Sequence, residues 1–191
     1  PLTYCLSCEQ IGLDTVHEYI GKEPSGAAFN AFVLNGENKP HNPMLNTGGI
    51  AVCSLLEPRD DPSTRFGRVF DTISAMAGNA KLSFNQQLYL SEKTHGERNF
   101  ALSYFMRGAG VKALQDAKIS DVLDFYFQIC SIACTADNLA VIAGTLASGG
   151  ICPLTKKRVL STDTVKTCLS LLYSCGMYDY SGQWAFQIGL P

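Results

Sequence analysis

The chain has 191 residues, of which 46% are hydrophobic, and a formal net charge of −2 at pH 7. This length can bury one sizeable core, and the slight negative charge excludes the basic surface expected of a nucleic-acid-binding protein. No apolar run approaches the roughly 20 residues that span a bilayer, so no membrane partner is expected.

The first predicted element is a helix from Leu2 to Ile11, which Gly12 ends. Asp14 is predicted to cap a second short helix that ends at Gly21. Residues 21–46 contain three prolines and several Gly and Asn residues, which predicts a long irregular segment of functional importance or mobility. Asn46 is the natural cap for the apolar stretch "TGGIAVCSLL" that follows.

Asp61 followed by Pro62 predicts the start of the next helix, whose apolar spacing continues until Gly78. Ser83 and Gln86 have the spacing of a capping box for the stretch "FNQQLYLSEK". A further helix is predicted from Asn99 to Arg107.

Later segments complete a total of about eight helices. Three helices are predicted to begin at the capping residues Ser120, Thr135 and Ser161, the last of them ending at Gly176. Near the end of the chain, Trp184, Phe186 and Ile188 alternate with smaller or polar residues, which predicts one strand. A single strand cannot satisfy its own hydrogen bonds, so its sheet is expected to come from elsewhere in a longer polypeptide or from a partner.

Eight cysteines raise the question of a metal or redox site. Cys5 and Cys8 form a CxxC motif, but no second CxxC and no histidine pair follows to complete a zinc site. Most of the cysteines lie in apolar helical stretches such as "VKTCLSLLYSC". We therefore expect reduced thiols in the core and no metal.

Glu92 and Asn99 are the first candidates for chemistry. They are seven residues apart, and Gly96 between them favours a turn over one continuous helix. The alternative is that Glu92 is an ordinary solvated surface charge.

Two tyrosines are the next candidates. Tyr126 lies among three aromatic residues and is either a core residue or a pocket wall, whereas Tyr178 follows a helix-ending glycine on a turn. Together these residues predict a pocket lined by Tyr, Asn and Glu for a small polar ligand. The chain contains no complete nucleophile and base pair at motif spacing.

Several stretches resemble the serine-dependent glutaminases, most closely the animal phosphate-activated, kidney/liver type. They are "GKEPSG", "KPHNPMLNTGG", "SEKTHGERNFA", "LDFYFQICSI", "GGICPLTKKRVLS" and "SCGMYDYSGQWAFQIGLP". Because they occur in order from one end of the chain to the other, the resemblance is specific.

The resemblance implies an α+β fold like that of serine β-lactamases and penicillin-binding proteins. This chain would cover mainly the helical domain plus a strand of the sheet. The implied reaction is hydrolysis of L-glutamine to L-glutamate and ammonia through a serine acyl-enzyme. The shared chemistry needs a base beside the serine hydroxyl and backbone N–H groups for the oxyanion.

The resemblance also assigns site residues. Asn46 matches a substrate-binding asparagine, and Glu92 and Asn99 match the pair that binds the amino-acid end of glutamine. Tyr126 matches a pocket tyrosine, and Tyr178 matches a catalytic tyrosine that relays protons and binds substrate.

The family's Ser-x-x-Lys and Lys-Ser-Gly motifs would lie directly before Pro1 and directly after Pro191. Residues 1–191 are therefore expected to be the central part of a single glutaminase catalytic domain, and the 191 residues alone are expected to be inactive.

The resemblance implies no cofactor, and phosphate as an activator. It also implies a homo-oligomer, either a dimer or a tetramer. The implied compartment is the mitochondrial matrix, with the cytoplasm as the alternative. The loop "AFVLN" at 31–35 matches a gating segment, but Phe32 and Val33 replace the usual Leu-Phe, so inhibitor sensitivity is not expected to carry over. Tyr104 and Phe105 match a helix that packs between dimers and are otherwise ordinary core residues.

The sequence also allows two other interpretations. A β-lactamase or peptidase relative is disfavoured because the chain lacks a Ser-Asp-Asn motif. A non-catalytic fragment or pseudoenzyme would bind glutamine or associate with an intact subunit.

Overall fold

A computed structural model describes residues 1–58 and 60–189. Over these residues the chain forms α1 (Leu2–Ile11), α2 (Leu13–Tyr19), α3 (Asn46–Leu55), α4 (Pro62–Met76), α5 (Gln86–Thr94), α6 (Glu97–Gly108), α7 (Lys112–Gln115), α8 (Ile119–Cys130), α9 (Ala136–Ala147), α10 (Thr162–Cys175) and α11 (Ser181–Ile188). A short antiparallel pair joins β1 (Ser83–Phe84) to β2 (Ile132–Ala133), with Ser83 opposite Ala133. In the described part of the chain, no helix is both long and apolar enough to cross a membrane.

Helix α3 forms the centre of the core. Ile50, Ala51 and Val52 are completely buried, because α1, α6, α7 and α8 all pack against this helix. Most of its residues are small or apolar, and even Thr47 and Ser54 are buried, as expected of a helix with little solvated face. Gly48 lies so close to the irregular segment that a Cβ there would stand 1.9 Å from the carbonyl oxygen of Asn42.

The long irregular segment predicted by the sequence is confirmed, and it occupies residues 20–45. Its two ends are joined by a hydrogen bond from the Gly21 amide to the Pro40 carbonyl and by one from the buried Asn42 side chain to the Glu23 carbonyl. The segment is therefore anchored at its base, where it meets the start of α3.

Helices α1 and α10 run antiparallel. The Glu9 carboxylate near the end of α1 accepts hydrogen bonds from the amide and hydroxyl of Ser161 at the start of α10. Further along, the buried thiols of Cys5 and Cys168 contact each other, and this contact together with burial raises the pKa of Cys5. The start of α1 consequently lies beside the end of α10.

Several predicted helix ends are confirmed. Asp61 caps α4 by accepting from the amides of Ser63 and Thr64, with Pro62 at the first helical position. Thr135 forms a full capping box on α9, and Ser161 caps α10. Gly12 and Gly176 end α1 and α10 as predicted.

Four predicted caps are wrong, because a neighbouring residue or a tertiary contact takes the position. Gly12 takes the cap of α2, so Asp14 lies in the first turn, and Lys118 takes the cap of α8 in place of Ser120. Ser83 pairs in β1, and Asn85 caps α5 instead. The helix predicted after Asn46 begins at Asn46 itself, whose side chain bonds to another helix.

The predicted terminal strand is also wrong. Trp184, Phe186 and Ile188 lie in α11, and Gly189 follows in the left-handed conformation that commonly ends helices. A helix satisfies its backbone groups internally, whereas a strand needs a neighbouring strand. The only strands in the described residues are the two-residue β1 and β2, which pair with each other.

The prediction that the cysteines are core thiols is confirmed for six of the eight. Cys130 and Cys134 are exposed, and this part of the prediction is wrong. They flank β2, where the end of α8 leaves the core.

Candidate functional site

Two predicted site residues meet across the core. Asn46 opens α3 and Asn99 lies in the first turn of α6, and the Nδ2 of Asn46 donates a 3.0 Å hydrogen bond to the Oδ1 of Asn99. We call these two residues the amide pair. The acceptor of Asn99 is thus occupied, and its NH₂ group donates no hydrogen bond within the described residues, which leaves it available to an anionic group.

A tight glycine turn separates the helix of Glu92 from the helix of Asn99. Gly96 joins α5 to α6, and a Cβ there would stand 2.7 Å from the Phe127 ring and 2.9 Å from the Glu92 carbonyl oxygen. Only glycine fits this close approach without a shift. The predicted break between Glu92 and Asn99 is therefore confirmed.

Tyr126 of α8 forms one wall of a cavity of about 300 Å³. Its ring is close enough to α3 that a Cβ on Gly49 would be in van der Waals contact with it. Burial raises the pKa of the Tyr126 hydroxyl, and the Cys130 and Cys53 thiols and the Glu92 carboxylate raise it further. Tyr126 is thus both a partly buried residue and a pocket wall, and Glu92 is near enough to raise its pKa.

The cavity beside Tyr126 is mainly apolar and lies between the start of α1, α3, α8 and α9. Its lining includes Pro1, Leu2, Thr3, Leu45, Cys53, Cys130, Cys134 and Leu139. The amide pair, Glu92 and Tyr178 do not belong to this lining. Of the five predicted residues, only Tyr126 lines this cavity, so the five do not form one closed pocket.

Tyr178 lies outside the core, on a single 3-10 turn over Tyr178–Tyr180 that follows α10. We call this element the tyrosine turn. Its side chain is 42% exposed, and its φ of 55° lies in the left-handed region, which bulky residues rarely adopt and which often marks functional positions. The predicted turn is confirmed, although it leads into a helix and not into a strand.

Phe29 connects the tyrosine turn to the amide pair. The Phe29 ring lies 5.3 Å from the Tyr178 ring, centroid to centroid. The Phe29 carbonyl accepts a 2.9 Å hydrogen bond from the backbone N–H of Asn46. The structure thereby brings Tyr178, Asn46 and Asn99 together through one residue of the irregular segment.

Three neighbours of the site were not anticipated: Phe29, Gly49 and Cys130. Phe29 is an aromatic residue in a segment otherwise rich in Gly, Pro and Asn, which was the available signal. Gly49 and Cys130 give no such signal, because their importance comes from contacts between helices distant in sequence.

A larger cavity of about 520 Å³ lies elsewhere, between α4, α5 and α8. Its charged residues are already engaged. Arg65 donates to the carbonyls of Cys53 and Leu56 at the end of α3, and Lys93 pairs with Asp124. None of the five predicted residues lines this cavity.

A family model described as Glutaminase matches residues 1–191. The chain belongs to the glutaminase family. The match covers both the amide pair and the tyrosine turn, so the site lies within the part of the chain that carries the family resemblance.

Individual relatives agree. The liver isoform of mitochondrial glutaminase from Rattus norvegicus is 44% identical over 191 residues, covering all of this chain and 32% of that protein. Glutaminase 2 from Clostridium perfringens is 38% identical over 193 residues, covering all of this chain and 62% of that protein. The chain thus spans about a third of the length of the animal relative.

A solved Bacillus glutaminase superposes with a TM-score of 0.90 at 27% identity, covering all of this chain and 63% of that one. The predicted α+β fold of the serine β-lactamase type is thereby confirmed, with this chain covering mainly its helical part.

Proposed function

We propose that the polypeptide carrying these residues hydrolyses the side-chain amide of L-glutamine to L-glutamate and ammonia through a serine acyl-enzyme. The observation that carries this proposal is the hydrogen bond between Asn46 and Asn99. It joins two side-chain amides from helices that are far apart in sequence but packed together, inside a chain of the glutaminase family.

The amide pair and Glu92 suit the amino-acid end of the substrate. The NH₂ group of Asn99 is left to bind the substrate carboxylate, because Asn46 occupies its oxygen. The Glu92 carboxylate then binds the substrate ammonium, and charge-assisted hydrogen bonds of this kind are the stronger ones. Tyr126 would contribute from the cavity beside α3, which Leu45, the neighbour of Asn46, also lines.

Tyr178 would relay the proton between the serine and the leaving ammonia. Its hydroxyl is on an exposed turn and can therefore meet a reacting group that other parts of the domain provide. In this proposal the serine belongs to a Ser-x-x-Lys motif before Pro1, and the first residues of α1 already line the Tyr126 cavity.

Residues 1–191 would then be the central part of a single catalytic domain, which with its proposed flanking motifs we call the intact polypeptide. The 191 residues contain neither a Ser-x-x-Lys nor a Lys-Ser-Gly sequence, which supports their inactivity in isolation. Glutamate release by the purified 191-residue chain would contradict this.

The direct test measures ammonia and glutamate release by the intact polypeptide from L-glutamine, with D-glutamine and L-asparagine as controls. We expect hydrolysis of L-glutamine and a covalent glutamyl adduct on the serine after rapid acid quenching. If L-glutamine binds but is not hydrolysed, the protein is a non-catalytic glutamine-binding member of the family.

We also propose that the protein forms a homo-oligomer, either a dimer or a tetramer. It would need no cofactor and would be activated by phosphate. Its proposed compartment is the mitochondrial matrix. The name of the rat relative supports the compartment. The exposed Tyr104 on α6 supports a contact between subunits. Light scattering with and without phosphate, run alongside the activity assay, tests the assembly and the activation together.

A further inference from the structure

Arg98 makes an unusual set of contacts for an exposed arginine. It precedes Asn99 in α6, and its Nε and Nη2 both donate to the carbonyl oxygen of Asn30, at 3.0 and 2.8 Å. Its guanidinium also lies 5.0 Å from the centre of the Phe32 ring. One side chain thus holds the irregular segment at two points.

These contacts hold the segment directly beside the site. Asn30 follows Phe29, whose ring contacts Tyr178 and whose carbonyl accepts from the Asn46 amide. On the far side of Asn30, the Phe32 ring packs edge-on against Phe105 of α6, with centroids 5.6 Å apart. The segment 29–32 is therefore clamped to the helix that carries Asn99.

An arginine suits this task for a geometric reason. Its planar fork can place two N–H groups on one carbonyl while its face stacks on an aromatic ring, and lysine cannot do both. Phe29 and Tyr178 are both partly exposed, and the Phe29 backbone is held on one side by the Asn46 N–H and on the other by the contacts of Arg98 with Asn30.

We propose that Arg98 is a positioning residue for the hydrolysis. By fixing Asn30 it sets the place of Phe29, and through Phe29 it aligns Tyr178 with the amide pair. Arg98 acts without touching the substrate. This inference rests on the proposed glutaminase activity.

The test uses Arg98→Met and Arg98→Lys in the intact polypeptide, with Glu97→Gln as the matched control on the same exposed turn of α6. Small misplacements of a catalytic group are costly, so we expect Arg98→Met to lower kcat by about tenfold with little change in KM. Arg98→Lys should give an intermediate loss, and Glu97→Gln should leave kcat unchanged.

A double-mutant cycle separates positioning from general damage. In a Tyr178→Phe background, Arg98→Met should cost almost nothing more, because the hydroxyl that Arg98 aligns is already gone. Losses that multiply independently would overturn the proposal.

Hydrogen exchange gives a readout that does not depend on activity. Amides of residues 29–35 should exchange faster in Arg98→Met than in the parent and Glu97→Gln proteins. Suppose that the parent hydrolyses glutamine. If Arg98→Met then leaves the exchange or kcat unchanged, the positioning role of Arg98 is refuted, and the proposed function is not affected. A parent that hydrolyses no glutamine refutes the proposed function instead, while the exchange result still decides whether the clamp exists.

Discussion

The amide pair stands on two helices that pack into the core, whereas Tyr178 stands on a turn at the surface. Asn46 begins α3, the central buried helix, and Asn99 belongs to α6, which packs against it. The contacts of Tyr178 include a ring contact with Phe29 and a local hydrogen bond, which its carbonyl accepts from the Ser181 hydroxyl.

In the proposed function, this difference separates substrate binding by the amide pair from proton transfer by Tyr178. Groups that recognise an unchanging part of a substrate can be fixed rigidly by the core, because the same contacts serve before and after the reaction. A group that transfers protons has to meet several reacting atoms, and a surface turn gives it that access. If this separation is correct, changes on the two sides should separate into effects on KM and effects on kcat.

The largest effect is expected at the tyrosine turn. Tyr178→Phe removes only a hydroxyl and should lower kcat of the intact polypeptide by about 10²–10⁴-fold, the usual contribution of general acid–base catalysis. Steady-state kinetics with a thermal unfolding control measures this. A decrease of only a few-fold in a folded protein would show that Tyr178 is not the proton relay.

The next largest effect is expected on the binding side. Glu92→Gln should raise KM by roughly 10- to 100-fold, since a hydrogen bond to a charged group contributes about 1.5–3 kcal/mol, with a small change in kcat. Glu97→Gln removes an exposed charge five residues away and is the matched control. An unchanged KM would contradict the ammonium contact.

A third substitution tests the close packing of α3, the helix that Asn46 begins, against the irregular segment. Gly48→Ala would place a Cβ 1.9 Å from the Asn42 carbonyl oxygen, and this overpacking should lower the free energy of unfolding by about 1–3 kcal/mol. Gly67→Ala in α4 meets nothing within 4 Å and should raise it by up to about 1 kcal/mol. Equal melting temperatures for the two variants would show that α3 does not need this close approach.

The smallest effect concerns pH. The Nδ1–H of His17 donates to the Ile20 carbonyl at 3.0 Å, so its Nε2 accepts from the Tyr4 hydroxyl at 2.8 Å, and burial lowers the pKa of His17 below its ordinary value of 6.5. Folding therefore favours the neutral form of His17. Its contribution to stability is complete above pH 6.5 and is lost as the pH falls through the lowered pKa.

Urea unfolding of the intact polypeptide between pH 5 and 7.5, a range around the ordinary histidine pKa, measures this dependence. His17→Gln should flatten the curve over that range. A histidine that stabilises the fold more at pH 5 than at pH 7.5 would contradict the assignment.

The sequence predicts some helix ends correctly and others wrongly, whereas the roles of the candidate site residues stay predictions. Thr135 and Ser161 were assigned correctly because capping is a local interaction. Asn46 was misassigned because its side chain bonds to Asn99, 53 residues away, which no local pattern shows.

The error at Trp184 and Phe186 has a related cause. Alternating large residues predict a strand only if a sheet edge is available to pair with, and the described residues provide none beyond β1 and β2. Residue type and position alone indicate Glu92, Asn99 and the two tyrosines as candidates, whereas the substrate-binding role of Asn46 and the other assigned roles come from the resemblance to glutaminases. Phe29 and Arg98 required the structure, because their contacts cross between segments far apart in sequence.

The antiparallel packing of α1 and α10 has a consequence for changes in chain length. Glu9 fixes the start of α10 at Ser161, and Tyr178 follows the end of that 14-residue helix. Inserting one residue in α10 would advance Tyr178 by about 1.5 Å and turn it by about 100° around the helix axis. The spacing between Ser161 and Tyr178 should therefore tolerate no single insertion or deletion, while the exposed turn at residues 36–38 of the irregular segment should accept several.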